Sequence, residues 1–241
     1  MEFQSTLFQF FLPPQCPCCE NFLEEGRQGF CSNCLSEIRW IEPPFCSICG
    51  IPFASKAVEN HPCGACVTRG KYFTMARALG AYEGSLREAI HRWKYEGKIH
   101  LTPFFTEWMT EGLTRYWEPG SFDLLIPVPL HPHRLKERGF NQALLLVKEL
   151  SRHTGIPYRK TILQKKKPTI PQVILSGVER EKGVRGAFHV IGEEELEGKG
   201  VLLIDDVYTT GATVNECSKV LLREGAKRVD VLTLAHAIKT S

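Results

Sequence analysis

Two adjacent carboxylates followed by a turn of small hydroxyl residues form the most informative cluster in this sequence. Within VLLIDDVYTTGATVNE (residues 201–216), Asp205 and Asp206 follow an apolar run of strand length. The turn that comes next, made of Thr209, Thr210, Gly211, Ala212 and Thr213, opens a helical pattern. Glycine lets a backbone approach an anion closely, and amides at a helix N-terminus suit a phosphate monoester. Paired acids beside such a site would accept hydrogen bonds from sugar hydroxyls, so the segment predicts a ribose 5-phosphate site. An ordinary strand–turn–helix joint with capping residues is the alternative.

Cysteine spacing points to a second kind of chemistry, metal binding. Nine of the ten cysteines precede residue 67, and eight of them form four Cys-x2-Cys pairs: Cys16 and Cys19, Cys31 and Cys34, Cys46 and Cys49, and Cys63 and Cys66. Two such pairs complete a tetrahedral zinc site. Consecutive pairs would form two structural sites, although an interleaved pairing of the same ligands, or a single bound zinc, stays open. The proline-rich segment around them cannot build much core, so zinc must supply folding free energy.

Composition places the chain among soluble globular proteins, since 43% of its 241 residues are hydrophobic and 24% are charged. No apolar run reaches the roughly 18 residues that a membrane span needs. The first residues lack the basic stretch and cleavage site of a signal peptide. We therefore expect a cytoplasmic protein, where disulfides are rare and zinc explains the cysteines better. The separate Cys217 falls on the apolar face of a helical pattern and is predicted to be a core residue.

The elements that must position these residues alternate between strands and helices after residue 71. Strands are predicted at 76–82, 123–130, 201–207 and 228–235, and helices at 86–95, 140–152 and 213–225. This alternation of helices with continuously apolar strands predicts an α/β fold, a parallel sheet covered on both faces. We expect a cysteine-rich zinc-binding module over residues 1–70 and the α/β domain over residues 71–241. Ligands of open α/β sheets bind beyond the carboxyl ends of the strands, which is where Asp205 and Asp206 lie.

Positive charge is concentrated in one stretch of the chain. Residues 131–167 contain ten Lys and Arg against two Asp and Glu, a net charge of +8, whereas the whole chain carries +3. A stretch of this kind favours a partner that bears phosphate groups.

The 201–216 segment resembles the phosphoribosyl pyrophosphate (PRPP) loop of type I phosphoribosyltransferases, which joins hydrophobic residues, two acids and a Thr/Ser-Gly-x-Thr turn. The cysteine-rich front and three further segments resemble the ComF family of competence-associated phosphoribosyltransferase-like proteins. These segments are YEG…L..AI..WKY.G at 82–97, LLIPVPLHPHRLKERGFNQALLL at 124–146 and GAKRVDVLTLA at 225–235. The likeness covers essentially the whole chain and implies a type I phosphoribosyltransferase fold behind the cysteine-rich module.

The resemblance also implies roles for individual residues. Asp205 and Asp206 would hold the ribose hydroxyls, the Thr209–Thr213 turn would hold the 5′-phosphate, and Mg²⁺ would accompany PRPP. In the family the loop after the 123–130 strand meets pyrophosphate, which makes candidates of His131, His133, Arg134 and Arg138. Residues 165–188 resemble the mobile loop of glutamine-dependent amidophosphoribosyltransferases, which adds Gln172, Arg180 and Arg185. Asn141 is expected to cap the helix that follows the pyrophosphate loop.

Two functions follow from this resemblance. As a ComF-like protein the chain would bind PRPP and single-stranded DNA and would act with other DNA-uptake proteins in natural transformation or DNA utilisation. The candidate DNA contacts are Arg134, Lys165, Lys166 and Lys167. The alternative is an active phosphoribosyltransferase that uses PRPP and an unidentified acceptor and releases pyrophosphate. Fold and PRPP site do not establish transfer by themselves, so whether the chain is an enzyme stays open.

Overall fold

Four parallel strands form the central sheet of the chain. The computed structural model describes residues 14–53, 59–166, 183–192 and 195–238. The central strands are β1 (Ala76–Ala81), β2 (Leu124–Pro127), β5 (Gly200–Tyr208) and β6 (Arg228–His236), in the order β1-β6-β5-β2. Two short antiparallel strands, β3 (Leu163–Lys165) and β4 (Phe188–Val190), form a separate pair. The central strands are almost continuously buried, as the apolar runs predict for a parallel sheet.

Helices surround this sheet. They are α1 (Ser32–Ser36), α2 (Gly64–Arg69), α3 (Gly84–Tyr95), α4 (Thr102–Tyr116), α5 (Pro132–Arg138), α6 (Gln142–Thr154) and α7 (Ala212–Arg223), with a 3₁₀ turn at Ile99–Leu101. The helices predicted at 86–95, 140–152 and 213–225 are confirmed as α3, α6 and α7. The sequence did not predict α4 and α5, because threonines and aromatic residues obscure the helical signal of α4 and α5 is short. Within the described ranges, no helix is both long and apolar enough to cross a membrane.

Each face of the sheet carries its own core, and the two halves of the cysteine-rich segment lie on opposite faces. One core joins α3, α4 and α6 to the first half, through residues that include Cys16, Leu23, Phe30, Trp93, Phe105, Leu146 and Leu202. The other joins α7 and the β3–β4 pair to the second half, through residues that include Cys46, Cys66, Phe73, Phe188, Leu203 and Cys217. The predicted covering of both faces is confirmed, and the cysteine-rich segment contributes to both cores.

Both edges of the sheet are covered by extended chain. At the β1 edge, the Ile41 amide donates to Leu79 O at 2.8 Å and the Ala81 amide donates to Arg39 O at 2.8 Å. At the β2 edge, the Leu125 amide donates to Pro157 O at 2.9 Å. An uncovered edge strand would expose a row of unpaired amides and carbonyls, so these segments complete the sheet.

The carboxyl end of β5 extends beyond its neighbour β2. The pairing of β2 with β5 stops at Pro127 opposite Ile204, whereas the pairing with β6 continues to Tyr208 opposite His236. One side of residues 205–208 is therefore left without a strand partner. This open side beyond the end of β2, where ligands of α/β sheets bind, is called the crevice below. The two acids lie among the last four residues of β5, within the predicted strand 201–207, because β6 continues to pair with this part of the strand.

Helix α6 begins two residues later than the predicted helix. The sequence analysis assigned helix 140–152, yet Phe140 precedes the helix, which begins at Gln142. The buried side chains are Gln142, Ala143, Leu146, Val147 and Leu150. The Asn141 side chain accepts from the Ala143 amide at 3.0 Å, so the predicted N-cap is confirmed.

Candidate functional site

The two adjacent acids at the end of β5 point to opposite faces of the sheet. Side chains alternate along a strand, and on β5 Leu202 and Ile204 face one core whereas Val201 and Leu203 face the other. Asp206 accordingly lies on the α3 side, where its Oδ1 is 2.8 Å from Lys94 Nζ. Asp205 lies on the α7 side, and its Oδ1 accepts the Asp206 amide at 2.9 Å.

Burial dominates the electrostatics of Asp205. Loss of water and the neighbouring charge of Asp206 raise the pKa of the Asp205 carboxyl to about 7, against the opposing influence of the Asp206 amide, Lys94 and Lys165. A carboxyl with this pKa takes up or releases a proton near neutrality. In its neutral form it can donate a hydrogen bond to a ligand, and in its charged form it can accept one or bind a cation.

Lys94 is a site residue that the sequence analysis missed. Its side chain is 11% exposed and that of Asp206 is 14% exposed, so their ion pair is shielded from water. Helix α3 begins just after β1 and ends beside β5, which means that it crosses the carboxyl edge of the sheet. Lys94 lies in the predicted helix 86–95 and in the segment that resembles the ComF family, but nothing in the local sequence shows where a helix of 12 residues ends in space.

The predicted phosphate turn follows β5 directly and begins α7. Gly211 has a φ of +74°, and a Cβ at this position would collide with the Tyr208 ring, so the position demands glycine. The Ala212 amide donates to Thr210 Oγ1 at 3.4 Å, and Thr209, Thr210 and Thr213 are half-buried. The structure thus brings the turn Thr209–Thr213 next to Asp205 and Asp206, as the sequence predicted.

The residues after β2 form short helix α5 and take several different positions. His131 caps α5 by accepting the His133 amide at 3.2 Å, and His133 lies 3.3 Å from Glu137 with its side chain 75% exposed. Arg138 donates to Tyr95 Oη at 3.0 Å and lies over the Tyr95 ring. Contact of any of these residues with pyrophosphate stays a prediction.

Lys165 is partly buried and lies near Asp205, so it is not a solvated surface lysine. Burial lowers the pKa of its ammonium group, with Cys217 and Asp205 acting in the opposite direction and Arg134 in the same direction. Its Nζ is 5.5 Å from the centre of the Phe188 ring. Arg134, Lys165 and Asp205 therefore share one electrostatic neighbourhood.

Two other predicted cations of this region lie at the surface. Lys166 and Arg185 are exposed. Gln172, Arg180 and Lys167 lie outside the described residues.

The eight paired cysteines form two separate tetrads. Cys16, Cys19, Cys31 and Cys34 make one, and Cys46, Cys49, Cys63 and Cys66 make the other, with all sulfur atoms of a tetrad within 4.8 Å of one another. The Cys19–Cys31 and Cys49–Cys63 sulfurs are 3.7 and 3.8 Å apart. A tetrahedral zinc site with Zn–S bonds of about 2.3 Å gives sulfur separations of about 3.8 Å. The geometry fits one structural zinc for each tetrad, with consecutive pairs joined as the simplest prediction had it and the interleaved pairing excluded.

The two remaining cysteines belong to neither tetrad. Cys18 is buried, and its thiol donates to Ser85 O at 3.4 Å. Cys217 is fully buried on α7, and the prediction of a core residue is confirmed.

Each half of the cysteine-rich segment braces one wall of the crevice. The first half contacts α3 through the Cys18–Ser85 hydrogen bond and through the ion pair of Glu20 with Arg92, two residues before Lys94. Directly after the second half, the chain contacts both sides of the phosphate turn: Phe73 packs on Tyr208 before it, and the Tyr72 amide donates to Asn215 Oδ1 of α7 at 2.8 Å. Residues next to each tetrad therefore pack against the segments that carry Lys94 and the phosphate turn.

Comparison with known families agrees with both parts of this arrangement. A family model described as a double zinc ribbon domain matches residues 7–67, and one described as a phosphoribosyl transferase domain matches residues 141–240. These spans include both tetrads and the whole β5–α7 segment.

Three curated relatives match over most of their length and most of this chain. Competence protein F of Haemophilus influenzae is 31% identical over 227 residues, covering 92% of this chain and 97% of its own. DNA utilization protein YhgH of Escherichia coli (strain K12) is 29% identical, with coverages of 94% and 99%. Competence protein ComFC of Bacillus subtilis is 30% identical, with coverages of 90% and 88%.

Removing one ligand from either tetrad should release one zinc ion. We expect the parent chain to contain two zinc ions and Cys31→Ala and Cys63→Ala each to retain one, because the tetrads share no ligand. Cys18→Ala, which removes a cysteine outside the tetrads, should retain both. Elemental analysis of the purified variants measures this, and loss of both ions from either ligand variant would contradict independent sites.

Asp205 should make stability fall as the pH rises. Its pKa of about 7 in the folded chain lies above the unfolded value of about 3.9, so the folded state binds the proton more tightly. The contribution of Asp205 to the free energy of unfolding is fully present below pH 4 and is lost as the pH rises through about 7. We therefore expect Asp205→Asn to gain stability relative to the parent between pH 4 and pH 8, by at most about 4 kcal/mol.

Urea unfolding across this pH range measures the difference. Glu118→Gln, which changes an exposed carboxylate, is the matched control and should show an offset that does not vary with pH. A pH-independent offset for Asp205→Asn would show that the carboxyl does not titrate as inferred.

Proposed function

Since this chain belongs to the ComF family, together with competence protein F, ComFC and YhgH, we propose that its phosphoribosyltransferase-like domain binds PRPP at the carboxyl end of β5. One observation carries the proposal. Asp205, Asp206 and the glycine turn that begins α7 lie together at the carboxyl end of β5, which extends beyond its pairing with β2.

Each chemical part of PRPP has a complementary group in the crevice. The amides of the turn around Gly211 and the threonine hydroxyls suit the 5′-phosphate. Asp205 and Asp206 suit the ribose hydroxyls, which donate hydrogen bonds to carboxylates. Arg134 and Lys165 supply positive charge on the side where the pyrophosphate would lie.

Magnesium fits this chemistry. Carboxylate oxygens are the protein ligands that Mg²⁺ prefers, and Mg²⁺ commonly binds through one or two of them together with substrate phosphates. Asp205 and Asp206 are the residues that would hold it. When bound, the ion would neutralise pyrophosphate charge that the described cations of the crevice meet only in part.

Handling of single-stranded DNA is the second part of the proposal. The +8 stretch is not one uniform patch, since Arg152 pairs with Glu149 and Arg159 pairs with Glu195. Of the other cations in this stretch, Arg138 contacts Tyr95 and Lys166 is exposed next to Lys165. The structure adds a stacking surface that the sequence analysis did not find: Tyr95 is 57% exposed, with Arg138 over its ring and His91 beside it. Exposed aromatic rings next to cations suit the bases and phosphates of a single strand.

Transfer of ribose phosphate is the alternative to simple PRPP binding. The nearby cations Arg134 and Lys165 would stabilise the negative charge that develops on departing pyrophosphate. Release of pyrophosphate from PRPP that depends on one added acceptor would support an active transferase.

Asp206→Asn should weaken PRPP binding at least about tenfold, because the amide loses a charged acceptor for the ribose hydroxyls. Isothermal titration of PRPP with Mg²⁺ into the zinc-loaded chain measures this. Asp123→Asn is the matched control, since Asp123 accepts the Gly200 amide at the amino end of β5. Unchanged affinity in both Asp205→Asn and Asp206→Asn would remove the acids from the PRPP site.

Lys166→Glu should weaken binding of a labelled oligothymidylate and reduce its salt dependence, because phosphate contacts release counterions. Tyr95→Ala should reduce the free energy of oligothymidylate binding by roughly 1–3 kcal/mol, because a base can no longer stack on the ring. Lys148→Glu reverses an exposed charge on α6 within the same +8 stretch and should have little effect. Equal losses in Lys148→Glu and Lys166→Glu, measured by fluorescence anisotropy, would indicate a diffuse charge effect and no defined path.

A further inference from the structure

A cavity of about 350 Å³ opens beside β1, at a place that takes no part in the crevice described above. Its walls come from the strip that covers the β1 edge, from Leu79 of β1 and from one face of α4. Leu79 belongs to the edge strand β1, which β6 separates from β5. None of the lining residues belongs to the crevice, so the cavity is separate from the carboxyl end of β5.

Aromatic rings form the apolar walls of this cavity. Trp40 and Trp108 meet edge to face with their ring centres 5.2 Å apart, and Tyr116 completes the wall. Phe30 packs on Trp108 with ring centres 5.0 Å apart, which holds that indole in place. Trp40 remains 38% exposed. Indole and phenol rings in this arrangement present faces that attract a cation.

Carboxylates form the polar rim. Arg115 lies 3.1 Å from Glu42, so that pair is neutral. Glu107 and Glu111 also line the cavity, four residues apart on one face of α4. Across the described part of the chain, neither of these two carboxylates has an ion-pair or side-chain hydrogen-bond partner. The rim therefore carries two uncompensated negative charges, which disfavour a phosphate-bearing ligand.

We propose that this cavity binds an arginine side chain from a basic segment of a partner protein. A guanidinium group stacks on aromatic faces and pairs with carboxylates in its own plane, so it uses both the indoles and the Glu107–Glu111 pair. The apolar walls accommodate its aliphatic stem. An exposed tryptophan beside a charged rim is typical of the anchor points of protein interfaces. The negative charge of the rim disfavours nucleic acid, which distinguishes this surface from the crevice.

Titration of a tetra-arginine peptide into the full-length, zinc-loaded chain tests the proposal. We expect the peptide to shift the indole N–H signals of Trp40 and Trp108 in NMR spectra. Its affinity should fall about tenfold or more in Glu107→Gln/Glu111→Gln. The double variant Glu24→Gln/Glu25→Gln removes the same charge from exposed positions outside the cavity and should bind the peptide within about twofold of the parent.

Three outcomes would overturn the proposal. If both double variants bind the peptide more weakly by the same factor, the effect comes from the overall charge of the protein. Binding that leaves both indole signals unmoved would place the peptide elsewhere. Free arginine that binds as tightly as the peptide would point to a small-molecule ligand and remove the protein partner. Trp40→Ala gives a second route to the same answer: with a thermal unfolding midpoint close to that of the parent, it should lose peptide affinity by a similar factor.

Discussion

Two neighbouring acids at the end of one buried strand need compensating groups nearby, and several segments of the structure supply them. Because strand side chains alternate, Asp205 and Asp206 enter different faces of the sheet, and a different lysine lies near each of them. Asp206 is met by Lys94, which requires α3 to cross the carboxyl edge before the chain turns into α4. Asp205 accepts a hydrogen bond from the Asp206 amide and lies near the positive charge of Lys165, which belongs to the separate β3–β4 pair. The crevice is thus assembled from segments that are far apart in sequence.

The cysteine tetrads support this assembly from both sides. A small, proline-rich segment cannot hold its own shape by apolar burial, and metal coordination replaces the missing core. Here the first tetrad region packs on α3, which delivers Lys94, and the second packs on Tyr208 and α7, which present the glycine turn. Their apolar residues enter the two cores of the sheet on opposite faces. Metal and sheet consequently stabilise one another.

Local pattern in the sequence was enough to predict much of this architecture. Continuous apolar runs predicted the parallel strands, cysteine spacing predicted the tetrads, and the acid pair with its glycine turn predicted the centre of the crevice. Lys94 and Tyr95 could not be predicted, since their role depends on the path of α3 across the sheet. The pairing of Arg138 with Tyr95 depends on the same long-range packing. Helix α4 was missed because its threonines and aromatics resemble a strand or loop composition, although its packing against β1 and β6 makes it helical.

The covered edges of the sheet restrict how other molecules can join it. Many proteins recruit extended peptides by β-augmentation, in which the guest becomes an additional strand on an exposed edge. Here Arg39–Ile41 already occupies the backbone groups of β1, and the chain at 157–159 does the same for β2. A guest strand would have to displace one of these segments, and on the β1 side it would disturb the peptide that links the two cysteine tetrads. Other proteins must therefore bind to side-chain surfaces, where recognition depends on shape and charge. Such recognition is more selective for the sequence of the partner than backbone pairing is.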